Sequence, residues 1–186
     1  MNNQRGDTII EVILASTMLA LVTTSSFAIM QRGTASTYDS LERSQVRLMV
    51  NGQGELLNYF RDEYIRAIST TGVVAGSPAD MWRKISLDGS VTESATEPVV
   101  QSCTPPSGNA AFSIRLDPAI PAYTVYPGTI TTPTGLPSPG DGIWVQRVDP
   151  NGGPARNFHD FYIMACWDST TSQKQYMSSV VRLYEP

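Results

Sequence analysis

Glu11 stands out by its surroundings. It is the only side chain that ionises between Thr8 and Met30, and residues 12–30 carry no charge at all. At about 1.5 Å per residue, such a run crosses or nearly crosses a bilayer core of ~30 Å. A carboxylate in hydrocarbon costs roughly 2.5–3.5 kcal/mol at the bilayer centre and less near the interface. An acid at the entry of this run therefore calls for a partner. Gly6 and Thr8 precede it in the spacing Gly-x-Thr-x-x-Glu, behind a short polar leader whose one basic residue is Arg5.

The other residues with chemical potential form no constellation. The single histidine, His159, stands next to Asp160, but a triad needs a Ser or Cys nucleophile beside it and a zinc site needs further ligands. Flanked by Phe158 and Phe161, it reads as part of a strand or its approach. Asp141-Gly142 and Asp149-Pro150-Asn151-Gly152-Gly153 lack the ligand spacing of a calcium loop and read as turns. Asn151-Gly152-Gly153 also lacks the Lys-Ser/Thr of a phosphate loop. Trp82, Trp144 and Trp167 read as core aromatics. Arg5-Gly6-Asp7 spells an adhesion tripeptide, a weak signal on its own, and no Asn-x-Ser/Thr acceptor occurs. No enzyme, metal or cofactor is expected.

Arg5, Gly6, Thr8, Ile9, Ile10, Glu11, Val12, Ile13 and Leu14, with the apolar run behind them, resemble the class III signal of type IV pilins and pseudopilins. The resemblance implies cleavage after Gly6 by a prepilin peptidase, N-methylation of the new amine at Asp7, and retention in the cytoplasmic membrane as a single-pass anchor. It further implies assembly with other pilin subunits, through an assembly platform, into a surface filament with bundled apolar helices at its core. The family usually begins its mature chain with Phe, and this chain has Asp7 there. The physics of Glu11 agrees with the implied role: the new ammonium lies four residues away on the same helix face, or on a neighbouring subunit. Removing one member of such a pair leaves an uncompensated charge, an asymmetry that sets register between subunits. A secretory signal peptide is cut after its apolar core. Here the implied cut precedes the core, so the helix stays on the mature chain.

The implied function is a structural pilus subunit, major or minor, serving adhesion, motility or DNA uptake. The alternatives are a pseudopilin of a type II secretion or competence machine, and a membrane-anchored adhesin or binding module using residues 117–142 as its contact surface. A net charge of −4 leaves no basic footprint, so nucleic acid is not an expected partner. Arg32, Arg43 and Arg47 beyond the span outnumber Arg5 before it, which by charge count alone would keep the C-terminal part inside. Long domains translocate largely regardless of that count, and the cleavage signal and the cysteine pair both place the bulk outside. Cys103 and Cys166 are too few for a disulfide scaffold or a structural zinc site. In an exported domain they read as one disulfide, two buried thiols being the alternative.

The elements that must carry these residues follow from periodicity. Residues 1–6 are the leader, and 7–30 the membrane or filament-core half of a helix. Residues 31–68 continue it as an amphipathic helix, and 69–186 form an exported β-sheet domain. Leu41, Leu48, Met49, Leu56, Tyr59 and Phe60 recur near helical spacing and mark the expected buried face. Gly33, Gly52 and Gly54 are expected bends or breaks, and Thr23-Thr24-Ser25-Ser26 an expected weak spot. Beyond the turn residues 69–72 and 75–78, residues 111–116 alternate with Phe112, Ile114 and Leu116 on one face, and residues 142–148 are β-rich. Residues 161–167 and 175–184 form a closing hairpin. The Pro-rich segment 117–142 reads as a surface loop with one short strand at 122–126. The fold class is α+β: a long N-terminal helix packed on a small antiparallel sheet.

Overall fold

The computed structural model describes residues 7–70, 72–94, 96–99, 103–119, 122–131, 133, 135–148, 158–169 and 174–185, with the side chains of Asp7 and Thr8 excepted. Two helices, α1 (Asp7–Ser69) and α2 (Pro78–Ser86), precede six strands: β1 (Phe112–Asp117), β2 (Ala122–Pro127), β3 (Ser138–Pro139), β4 (Gly142–Val148), β5 (Phe158–Asp168) and β6 (Lys174–Tyr184). The strand order is β2-β1-β4-β5-β6, antiparallel throughout, and the two-residue β3 pairs parallel with β4. The fold is α+β, with the second part of α1 packed on the sheet. The chain forms two compact units, Met1–Leu41 and Glu42–Pro186.

In the first unit α1 is continuous, and neither expected weak point opens it. The hydroxyls of Thr23, Thr24, Ser25 and Ser26 donate to carbonyls three or four residues back, those of Ala20 and Val22 among them. Each polar group is thus satisfied inside the helix, which suits a segment surrounded by apolar matter. Gly33 also sits within regular helix, and the Thr37 hydroxyl donates to its carbonyl. Glycine weakens a helix by about 1 kcal/mol relative to Ala, which is too little to break one this long.

In the second unit the buried stripe of α1 is Val46, Val50, Gln53, Leu57 and Phe60. The steps of 4, 3, 4 and 3 residues between them are those of one helix face. This corrects the expected face. Leu41, Leu48 and Tyr59 are exposed, and Met49 and Leu56 are partly buried against the core's edge. The glycine pair does not break the helix. A Cβ on Gly54 would lie 3.3 Å from Val181 Cγ2 and 3.4 Å from Ile163 Cδ1, so this glycine lets the helix approach β5 and β6 closely.

Alternation along the strands divides the sheet into two faces. Phe112, Ile114, Ile143, Val145, Phe161, Ile163, Ala165, Trp167 and Leu183 join the helix stripe in the main core. Ala111, Trp144, Met164 and Cys166 form a smaller cluster with Cys103 and Ile130. All three tryptophans are nearly fully buried. Leu116 departs from expectation: it is 58% exposed and lines an open groove with Met49, Leu56 and Tyr123.

Helix α2 was not anticipated from the sequence, although its signal is present. Ser77 caps it by accepting from the Asp80 N–H, and Pro78 takes the first turn, where a missing N–H costs nothing. Its apolar face, Met81, Trp82 and Ile85, enters the main core. In the segment 117–142 the short strand expected at 122–126 is present, and the two-residue β3 is an addition. The expected strand is β2, which pairs with β1 over six residues, and β3 pairs with β4. Pro127 ends β2 on the outer edge of the sheet, where a missing N–H is tolerated.

Candidate functional site

Helix α1 begins at Asp7 and carries Glu11 one turn later, so the two positions share a helix face. Glu11 is exposed, within a shell of exposed apolar side chains. Twelve large apolar residues from Ile9 to Met30 are exposed, ranging from 51% at Leu14 to 71% at Ile29. A window of this helix reaches a mean hydropathy of 1.9 with none of it buried, and the helix is long and apolar enough to cross a membrane. Soluble monomers rarely expose contiguous apolar patches beyond a few hundred Å². A surface of this kind is satisfied by lipid or by other apolar helices. Gly6, the residue before the expected cut, lies outside the described residues.

The cysteines come together. Cys103 and Cys166 form a disulfide with Cα atoms 5.5 Å apart, closing a loop of 63 residues. It ties the segment before the 3₁₀ turn at Gly108–Ala110 to the face of β5 that points away from α1. Gly142 is needed close by. Its φ is +78°, and a Cβ there would fall 2.5 Å from Pro133 Cγ and 2.6 Å from the Cys166 carbonyl oxygen.

His159 lies on β5 within a charged cluster. Its Nε2 is 2.8 Å from Glu185 Oε1, and its Nδ1 is 3.8 Å from Glu93 Oε1. Arg147 lies 3.3 Å from the same Glu93 oxygen and donates through Nη1 to the Ile85 and Ser86 carbonyls, closing the last turn of α2. The cluster joins the sheet, α2 and Glu185, the residue after β6, and its geometry is that of a structural tie. Among the described residues, no group of three or more His, Cys, Asp or Glu is placed to hold a metal ion. The turn at Asp141-Gly142 is present, its Asp141 carbonyl accepting from the Ser138 N–H. The expected turn at 149–153 lies outside the described residues.

Two polar devices were not visible in the sequence. Gln53, 3% exposed on α1, turns its amide to β1: Nε2 donates to the Ile114 carbonyl at 2.9 Å, and the Ile114 N–H donates to Oε1 at 3.0 Å. β1 pairs with β4 only at Phe112, so one side chain replaces a missing stretch of strand for two backbone groups. Asp80, 2% exposed, accepts from the Gly76 N–H at 3.0 Å and pairs with Arg83 and Lys84. Burial alone would raise its carboxyl; the Gly76 N–H and the two cations outweigh burial and hold it below the ordinary carboxylate value. Set against known proteins, the chain matches no family model, no curated protein and no solved structure.

Proposed function

We propose that this chain is a structural subunit of a type IV pilus-like filament, held in the cytoplasmic membrane by α1 before assembly. The observation that carries this reading is the apolar surface of residues 9–30 with one carboxylate, Glu11, at its entry. A plain anchor has no use for an acid there, and a helix that bundles with its neighbours does. Cleavage after Gly6 by a prepilin peptidase frees the amine of Asp7, and that ammonium, on the same or an adjacent subunit, pairs with Glu11. The assembly platform then draws the helix from lipid into a core of like helices, and the disulfide-tied sheet domain faces outward at the cell surface.

Mass spectrometry of the mature N-terminus tests this. A chain beginning at Asp7, methylated or not, is the expected result, together with recovery of the chain in sheared surface fibres. A chain that keeps Met1 and never enters fibres is a tethered module of another kind.

A further inference from the structure

The two edges of the sheet are managed differently. At one edge β2 is six residues long and closes with Pro127. At the other, β6 runs eleven residues in one-to-one register with β5, from Phe158↔Tyr184 to Asp168↔Lys174, with no bulge and no proline. Among the described residues, no strand pairs the outer side of β6. Proteins blunt such edges with charge, proline, bulges or short length. Only two charges lie on β6, Lys174 at its start and Arg182. Arg182 is engaged in a two-pronged bond to Asp160, at 2.7 Å for both contacts, and lies 4.3 Å over the Phe158 ring. A row of backbone donors and acceptors that no described strand pairs is complementary to an extended strand.

We propose that β6 pairs antiparallel with β6 of a second copy, about a two-fold axis at Ser179. The strand is its own complement in that register. On the face toward α1, Ser179 meets Ser179 of the second copy, and Met177 meets Val181, both partly buried against the core. On the opposite face Ser178 meets Val180, and Tyr176 meets Arg182, setting a guanidinium against an aromatic ring. Tyr176 and Val180 are 47% and 52% exposed and lie on this face. No like charges face each other, and the patch is isologous, as a two-fold requires.

The direction of the strand says in which sense the copies meet. Arg43 Nη2 reaches Gln175 Oε1 at 2.9 Å, and Arg61 Nε reaches the Tyr184 carbonyl at 2.6 Å, so β6 runs alongside residues 42–69 of α1 in the same sense. The two-fold therefore sets these helix stretches antiparallel. Within the unit Glu42–Pro186, the contact joins two copies in opposite sense. It uses only the unit Glu42–Pro186 and does not rest on the filament reading.

The test is disulfide trapping in the full-length chain in detergent. Both native cysteines are bonded, so an introduced cysteine is the sole thiol. Ser179→Cys is expected to give a cross-linked dimer on mild oxidation, because directly opposed Cβ atoms lie about 4.5–5.5 Å apart. Lys174→Cys is expected to give none, since its two copies stand roughly 33 Å apart in this register. Adding Tyr176→Lys to Ser179→Cys sets a lysine against Arg182 and abolishes the cross-link while leaving the melting temperature of this exposed site unchanged. Equal trapping at 174 and 179, as association through the apolar helix alone would give, overturns the proposal. So does a chain that sediments as a monomer with no trapping at 179.

Discussion

At the scale of single residues, Gln53 stands in for a strand partner. It satisfies one donor and one acceptor of Ile114 in a site closed to water. A buried backbone group left without a partner costs about 1–3 kcal/mol. Gln53→Leu strands both groups and is expected to destabilise the sheet domain by about 2–4 kcal/mol, read as a lowered urea midpoint at unchanged slope. Gln53→Glu keeps the acceptor, loses the donor, and introduces a buried charge, so its loss shrinks in acid as that carboxyl protonates. Asp80 makes a second residue-scale case. Its folded-state pKa is depressed, so its stabilising contribution is fully present above the unfolded value of about 3.9 and is lost as pH falls through the lower folded value. Asp80→Asn is expected to cost about 1–3 kcal/mol at neutral pH. Thermal melts of the two proteins should converge once the pH has fallen below that depressed folded-state value.

At the scale of elements, α1 explains why spacing locates a helix better than it locates the helix's buried face. Two glycines only two residues apart have opposite roles. At Gly52 a Cβ meets nothing within 4 Å, and at Gly54 it meets Val181 and Ile163. Gly52→Ala is therefore expected to stabilise by about 0.5–1 kcal/mol through helix propensity alone. Gly54→Leu forces helix and sheet apart and is expected to destabilise by about 1–3 kcal/mol. Melting temperatures of the two variants, moving in opposite directions, check the assignment. The sequence could not separate these glycines, since the difference lies in β5 and β6, more than a hundred residues away. For the same reason Leu48 and Tyr59 read as core yet are exposed: several apolar residues share the helix, and only the sheet decides which stripe is covered. β4 and the β5–β6 hairpin were legible because alternation and turn residues are local signals. α2 was equally local, with Ser77, Pro78 and Asp80 as its start signal, but the preceding turn-rich stretch masked it.

At the scale of the whole molecule, the two units place different demands on their surroundings. The unit Glu42–Pro186 buries its own core and is tied by Cys103–Cys166. In the chain-entropy model a loop of 63 residues stabilises by ~4 kcal/mol, so Cys166→Ser is expected to lower the melting temperature and increase protease sensitivity under oxidising conditions. The first unit leaves its apolar surface uncovered. The partner proposed for Glu11, the Asp7 amine on the same or a neighbouring subunit, could be named from the sequence, but it exists only once the chain is cut after Gly6 and so is not a feature of the uncleaved chain. Glu11→Ala separates anchoring from assembly. Removing a charge makes the segment easier to hold in lipid, so the variant is expected to be cleaved after Gly6 and recovered in the membrane fraction at normal abundance. What it loses, in the proposed assembly, is the counter-charge assigned to setting axial register in the filament core. Sheared fibres should then contain several-fold less of this chain, while its membrane pool rises. Incorporation at the wild-type level would leave Glu11 without the role proposed for it and reduce α1 to a tether.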